Sequence, residues 1–165
     1  MKFTLARIIA TYAYVGYLRP APGTWGSLLA LPLAYALASI HPILFVVAIP
    51  VAFLKGWVAT AILTKDSTDH DPSEIVIDEV VGQWIALLPV VLGAAQVGAP
   101  LMALWPGWIV AFAAFRIFDI WKPLIVGAAD RRGDALGVML DDVFAGIMAA
   151  GTVVAFAALA HMVLV

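Results

Sequence analysis

The chain has 165 residues, of which 64% are hydrophobic and 12% are charged, and its mean hydropathy is +1.04. Because a soluble domain usually has about 45–50% apolar and about 25% charged residues, this composition excludes an ordinary soluble protein and indicates an integral membrane protein. The net charge of −2, without a long basic run, argues against a nucleic-acid partner, and the lack of cysteine excludes disulfides and sulfur-ligated metals.

The first 18 residues, MKFTLARIIATYAYVGYL, combine apolar positions with Lys2 and Arg7. No small-residue cleavage pattern follows their apolar part, so the pattern does not favour a secretory signal peptide. It predicts an amphipathic segment that lies at the membrane interface.

A first apolar hairpin is predicted before residue 64. Residues 20–54 carry no charge and are interrupted at His41-Pro42, which predicts helices over about residues 24–38 and 43–63. A helix needs ~20 apolar residues to cross the hydrocarbon core, so the short first arm is compatible with a tilted or a re-entrant segment. Lys55 is interpreted as a lysine that reaches toward the interface, with a cation facing a polar cavity as the alternative.

A second apolar hairpin is predicted over residues 80–115, with breaks at residues 98–100 and 105–107, and residues 143–165 predict one further span. The expected fold is all-α, a polytopic bundle of four or five membrane helices that forms one domain over residues 1–165. Each hairpin returns the chain to the side that it left, so both polar stretches are expected on one membrane face. The lysines and arginines of that face predict that it is cytoplasmic.

The segment RPAPGTWGS, residues 19–27, leads into the first hairpin and contains two prolines and two glycines. Thr24 or Ser27 is expected to cap the helix that follows. Backbone amides at a helix N-terminus can also hold an anion, so a helix-entry loop and an anion site both fit this segment.

All eleven acidic residues fall in two polar stretches. Each stretch ends in an adjacent pair that directly precedes an apolar run, so each pair is expected at the start of a helix. Capping of the free backbone amides at a helix start explains the presence of one acid in each pair, but it explains the second, adjacent acid less well. If packing brought the pairs together, their oxygens would suit Mg²⁺. The pairs are Asp78-Glu79 and Asp141-Asp142.

Small residues, Gly82 and Gly146, follow the two pairs within about one turn, and small residues let membrane helices approach closely. Arg116, Asp119 and Lys122 are spaced i, i+3, i+6, which predicts one helix face ahead of a proline. That face is either a local ion-pair cluster, or it adds Asp119 to a metal site and directs the two cations toward phosphate oxygens.

Two further polar features point less specifically to a functional site. Asp130, Arg131 and Arg132 form a turn-like patch that is more typical of a lipid-headgroup or topology signal than of a catalytic group. His70 and Asp71 lie in the first acidic stretch, where a histidine is usually a solvated loop residue and alternatively a proton shuttle.

Four blocks in order, PAPGTWGS, then HDP with IVIDEVVGQW, then FRIFDIWKP, then DR with GVMLDDVFAG, resemble the phosphatidylglycerophosphatase A family. This is a bacterial family of Mg²⁺-dependent, inner-membrane lipid phosphatases, and the blocks span residues 19–146. The resemblance implies that the chain removes the terminal phosphate of phosphatidylglycerol phosphate. The products would be phosphatidylglycerol and inorganic phosphate, in phospholipid biosynthesis.

The resemblance also implies two sets of site residues. The catalytic and Mg²⁺-binding set is Asp78, Glu79, Asp119, Asp141 and Asp142. From the chemistry of phosphate monoester hydrolysis we expect Asp141 or Asp142 to activate water. The substrate-binding set is Arg116, Lys122, Asp130, Arg131 and Asp71, and our own interpretation of the helix-entry loop as an anion site adds Thr24 and Ser27 to it. One departure from the family pattern lies in the loop at residues 132–136, where Asp134 and Ala135 stand in place of a pair of glycines.

Two other classes of function remain as alternatives. A small membrane ion transporter would also carry acids on its helices, but near mid-span, whereas here they are predicted at span ends. A non-catalytic lipid-binding protein would use its charges for topology alone, so that neutralising one acid would leave its function intact.

Overall fold

Seven α-helices and no strand make up residues 1–164 of the computed structural model, whose side chains are described through Met162. Short 3₁₀ turns occupy Val15–Tyr17 and Leu101–Leu104. The prediction of an all-α fold is confirmed. In chain order the helices are α1 (Lys2–Ala10), α2 (Pro22–Ile40), α3 (Pro42–Thr64), α4 (Ile77–Val97), α5 (Trp105–Trp121), α6 (Ile125–Asp130) and α7 (Ala135–Leu164).

Five of the helical segments are long and apolar enough to cross a membrane: α2, α3, α4, the segment Leu101–Trp121 that contains α5, and α7. The 19 residues of α2 rise about 28 Å at 1.5 Å per residue, close to the ~30 Å hydrocarbon core. The first arm therefore needs no re-entrant path. By length and composition, the count of five is favoured over four.

The turn of the second hairpin is shorter than expected. Gly98 adopts a left-handed conformation with φ 65° and ends α4, as glycine commonly does at this position. Residues 105–107 were predicted to break the hairpin, but Trp105 begins α5 and Pro106 lies in its first turn. Proline is tolerated there because the first amides of a helix have no partner within the helix.

The centre of the bundle is α4, which contacts α2, α3, α5 and α7. It crosses α7 at two glycines: a Cβ added to Gly146 would contact the backbone oxygen of Gly82 and lie 3.1 Å from its Cα. A Cβ added to Gly82 would lie 2.6 Å from the backbone oxygen of Asp142 and would also meet the ring of Phe115. Only hydrogen at both positions lets the two helices pack this closely.

The N-terminal segment is attached to the loop that precedes α4. Ala6 and Ala10 of α1 are buried, and α1 packs against α3. The backbone N–H of Val76 donates to the carbonyl of Ala10 at 2.9 Å, and Gly16 packs against the backbone of Glu74. The predicted amphipathic segment is therefore a helix whose buried face lies against the bundle and whose end supports the start of α4.

Lys55 is exposed and lies with Lys2 along the groove between α1 and α3, whose lining is otherwise apolar. It does not line the polar pocket described below. This placement favours the interpretation of Lys55 as a lysine that extends toward an interface.

Candidate active site

A pocket of about 320 Å³ opens where α2 and α4 begin and where α5 ends beside the second turn of α7. It is the place where both acidic stretches meet. Its lining residues are Ala21, Pro22, Gly23, Asp71, Ser73, Ile75, Asp78, Glu79, Arg116, Asp119, Ile120, Lys122, Asp141 and Asp142.

Three carboxylates form the inner wall of this pocket. Asp78, Glu79 and Asp142 each have an oxygen within 4.8 Å of one another. Asp78 and Asp142 are buried, and the Oε2 atom of Glu79 is buried without a hydrogen-bond partner among the described residues. Within that same part of the chain, none of the three forms an ion pair. Three neighbouring carboxyl groups that form no ion pair make an oxygen-rich centre, which a divalent cation could occupy.

The prediction that Asp141 and Asp142 start a helix is wrong. Helix α7 begins at Ala135, so both acids lie in its second turn. Asp134 acts at the start of the helix instead, because its Oδ1 accepts a hydrogen bond from the backbone N–H of Gly137 at 2.8 Å. Hydrogen bonds from Arg132 and from that amide lower the pKa of Asp134. Capping is therefore excluded as the reason for the acid pair on α7.

The prediction that Arg116, Asp119 and Lys122 share one helix face is wrong for Lys122. Helix α5 ends at Trp121, because Pro123 disfavours the helical conformation at the residue before it. Lys122 is left-handed with φ 46°, and its ammonium group donates to Asp130 and, at 2.9 Å, to Asp141. Burial alone would lower the pKa of Lys122, but its bonds to Asp130 and Asp141 raise the pKa overall, so the group stays charged.

Arg116 is the second cation of the pocket. It forms an ion pair with Asp119, and its Nη1 atom donates to Ser27 Oγ at 3.4 Å. The Ser27 hydroxyl in turn donates to the carbonyl of Gly23 at 2.8 Å. The side chains of Arg116 and Asp119 are only 15% and 14% exposed, so this pair is more strongly fixed than a surface ion pair.

Asp71 lies at the pocket mouth with an exposed side chain. The protein atoms around the Asp71 carboxyl group reduce its hydration, which raises its pKa. The charge of Lys122 lowers this pKa, and the carboxylates of Asp130, Asp69 and Asp119 raise it further. Asp71 therefore adds a further carboxyl group to the space that the inner carboxyl groups line.

Some of the predicted site residues are not part of the pocket wall. Thr24 and Ser27 lie within α2, which begins at Pro22, so the prediction that either caps this helix is wrong. Ser27 contributes only through Arg116, and Asp130 only through Lys122. Thr24 and the exposed Arg131 do not line the pocket. The exposed His70 does not line it either.

Sequence reasoning missed Gly23 as a site residue. A Cβ added there would contact Glu79 Oε1 and lie 3.0 Å from Glu79 Cδ and 3.3 Å from Arg116 Nη1. Glycine is thus required for space beside two charged groups. The glycine in PAPGTWGS is the available signal, although the sequence pattern by itself predicts only a loop residue there. Ser73, also in the wall, carries no comparable sequence signal.

We expect Gly23→Ala to displace Glu79 and Arg116 and so to reduce catalytic activity by about tenfold or more, since small misplacements at active sites cost up to about 10²-fold. The measurement is the rate of substrate turnover in detergent. Gly93→Ala is the matched control, because a Cβ at Gly93 has no neighbour within 4 Å. Equal activity of the two variants would contradict the assigned role of Gly23.

The family model that describes phosphatidylglycerophosphatase A matches residues 8–157 of the chain. The chain belongs to the phosphatidylglycerophosphatase A family. The family resemblance drawn from the four sequence blocks is thereby confirmed, and so is the prediction that the chain is an enzyme, a phosphatase.

Similar proteins carry two kinds of name. The phosphatidylglycerophosphatase A of Haemophilus influenzae is 37% identical over 136 residues, which cover 81% of this chain and 77% of the relative. The phosphatidylglycerophosphatase A of Escherichia coli is 33% identical over 132 residues, 79% of this chain and 70% of the relative. A protein of Bacteroides thetaiotaomicron named "Putative phosphatidylinositol-3-phosphatase" is 37% identical over 145 residues, 85% of this chain and 86% of the relative. No solved structure matches the chain.

Proposed function

We propose that this phosphatidylglycerophosphatase A family member is a Mg²⁺-dependent lipid phosphatase of the bacterial inner membrane. It would hydrolyse phosphatidylglycerol phosphate to phosphatidylglycerol and inorganic phosphate, with its site facing the cytoplasm. The observation that carries the proposal is the cluster of Asp78, Glu79 and Asp142 in one pocket with two cations, Arg116 and Lys122. An ion transporter would instead need acids near the middle of its spans.

The residues present fit Mg²⁺. The clustered groups are all carboxylates, whose oxygens are the ligands that Mg²⁺ prefers, and Glu79 Oε2 is buried without a partner among the described residues. Asp78, Glu79 and Asp142 would hold the ion. Asp119 and Asp141 would support the site through their ion pairs with Arg116 and Lys122. Bound Mg²⁺ would supply neutralisation of phosphate charge and a lower pKa for an attacking water.

Lys122 and Arg116 are the groups that would bind the substrate phosphate. A phosphate monoester carries nearly two negative charges at neutral pH, so positive charge is needed to admit it to a pocket lined by six acidic side chains. The side chain of Lys122 is 30% exposed and faces the pocket between Asp130 and Asp141. Its hydrogen bonds to both acids hold its charge in place before a substrate arrives, as pre-organised electrostatic catalysis requires.

Asp142 is the group that we assign as proton acceptor from the attacking water. The two oxygens of Asp141 already accept hydrogen bonds, one from Lys122 at 2.9 Å and one from the backbone N–H of Asp142 at 2.9 Å. Asp142 is buried in the pocket wall and forms no ion pair among the described residues. Of the two acids that the sequence offered for this role, Asp142 is the one that Lys122 does not engage, so one of its oxygens could accept the proton while the other holds the ion.

The test is phosphate release in detergent from phosphatidylglycerol phosphate, with phosphatidylinositol 3-phosphate as a second substrate, in Mg²⁺ and in EDTA. We expect release from phosphatidylglycerol phosphate that is abolished by EDTA and restored by added Mg²⁺. Faster release from phosphatidylinositol 3-phosphate would favour the activity named for the Bacteroides relative. Undiminished release in EDTA would remove Mg²⁺ from the proposal, and no release from either lipid would refute the proposed substrate class.

A further inference from the structure

Gln83 is an unusual residue for the interior of a membrane bundle. It lies on α4 one turn beyond Glu79 and has 0% exposure, yet neither its Nε2 nor its Oε1 has a hydrogen-bond partner among the described residues. A buried carboxamide without partners is costly, and more so within a membrane, where no bulk water can satisfy it. A carboxamide at such a position calls for a partner that becomes available during function.

Among the described residues, two buried side-chain atoms of the pocket lining also lack hydrogen-bond partners: Glu79 Oε2 and Arg116 Nε. Glu79 and Gln83 are four residues apart on one helix and so lie on the same side of α4. Glu79 Cδ and Arg116 Nη1 both lie within 3.3 Å of one point, the Cβ position of Gly23. Helix α5 meets α4 here, because the ring of Phe115, the residue before Arg116, would contact a Cβ on Gly82.

The three unsatisfied groups are chemically complementary. A carboxylate oxygen needs a donor, and the Nε–H of a guanidinium needs an acceptor. A carboxamide carries one donor group and one acceptor group, so Gln83 alone can serve both Glu79 Oε2 and Arg116 Nε. The other contacts of Arg116 are made through Nη1, to Ser27 and Asp119, which leaves Nε available for this one.

We propose that Gln83 is a positioning residue for the phosphatase reaction, an inference that rests on the proposed function. Its amide group donates to Glu79 and its oxygen accepts from Arg116, directly or through one ordered water, when the site is loaded. Gln83 thereby orients one metal-binding carboxylate and one phosphate-binding cation at the same time. Groups that orient metal ligands in this way commonly affect metal affinity and rate together.

The test compares Gln83→Met, which keeps the length of the side chain and removes both polar groups, with wild type. We expect kcat to fall about 10–100-fold with little change in KM, and the affinity for Mn²⁺, measured by electron paramagnetic resonance on the substrate-free protein, to weaken by a similar factor. A packing role predicts unchanged kcat and Mn²⁺ affinity and a higher melting temperature, because an unsatisfied buried group has been removed. That result would overturn the proposal.

Two controls separate positioning from general loss of a buried polar group. Thr60 is also fully buried, and its hydroxyl has no hydrogen-bond partner among the described residues, so Thr60→Val is matched and should leave kcat and Mn²⁺ affinity unchanged. In an Arg116→Lys background, which lacks Nε, Gln83→Met should cost less than in wild type. The proposal would be contradicted if the effects of Gln83→Met and Arg116→Lys on kcat were fully additive. It would also be contradicted if Thr60→Val reduced kcat and Mn²⁺ affinity as much as Gln83→Met does. If Gln83→Met does not fold, Gln83→Leu replaces it.

The Mn²⁺ measurement separates this inference from the assigned substrate. If wild type binds Mn²⁺ but releases phosphate from neither lipid, the proposed function fails while weaker Mn²⁺ binding by Gln83→Met still supports the role of Gln83. If wild type is active and Gln83→Met retains its rate and its Mn²⁺ affinity, the inference on Gln83 fails and the proposed function stands.

Discussion

Asp142→Asn is expected to reduce phosphate release from phosphatidylglycerol phosphate by about 10²–10³-fold or more, since removal of one preorganised electrostatic group costs this much at other active sites. Asp142 is one of the three clustered carboxylates and the assigned proton acceptor, so neutralising it removes two functions together. The measurement is phosphate release in detergent at saturating Mg²⁺. Asp66→Asn makes the same chemical change on an exposed residue outside the pocket and serves as the control.

The thermal stability of Asp142→Asn should change in the direction opposite to its activity. In EDTA, the variant has one negative charge fewer among three carboxylates whose oxygens lie within 4.8 Å, so its melting temperature should equal or exceed that of wild type. Added Mg²⁺ should raise the melting temperature of wild type and have a smaller effect on the variant. Near-normal activity of Asp142→Asn would contradict both roles assigned to Asp142, metal binding and proton acceptance.

Gly146→Ala is expected to destabilise the bundle by about 1–3 kcal/mol, the usual cost of inserting a carbon into a well-packed core. The added Cβ would contact the Gly82 backbone and separate α4 from α7. Because Asp78 and Glu79 lie on α4 and Asp142 lies on α7, the same change should also widen the carboxylate cluster and reduce activity. Thermal unfolding in detergent and phosphate release measure the two effects.

Gly151→Ala provides the matched comparison on the same helix. Gly151 is exposed, and a Cβ there has no neighbour within 4 Å. Alanine is about 0.8–1.0 kcal/mol more favourable than glycine within a helix, so this variant should be as stable as wild type or more so. If Gly146→Ala behaved like Gly151→Ala, the close crossing of α4 and α7 would not be what assembles the site.

The membrane class and the pairing of acids were predictable because they depend on features visible along the chain. Long charge-free runs indicate spans, and two acidic pairs next to apolar runs indicated where spans meet water. Hairpin topology then placed Asp78, Glu79 and Asp142 on one face, and the structure brings these three together. The roles of these residues remain predictions.

The finer geometry was not predictable because it depends on the exact ends of helices. The residues ALGVML ahead of Asp141 are as apolar as those after it, so nothing local showed that α7 begins at Ala135. Lys122 donates to Asp141 from a left-handed backbone conformation, which a lysine rarely adopts and which a sequence pattern does not reveal. The roles of Gly23 and Gln83 depend on neighbours from other helices.

The pocket borders a strongly apolar surface, because Ile120 lines it and both Trp121 and Leu124, just beyond, are largely exposed. A lipid that reaches the site across such a surface arrives by lateral diffusion within the bilayer, without passing through bulk water. We therefore expect turnover to follow surface-dilution kinetics. At a fixed bulk amount of substrate, mixing in inert lipid or detergent should slow the reaction, whereas diluting the whole suspension with buffer should leave the turnover of each enzyme molecule nearly unchanged.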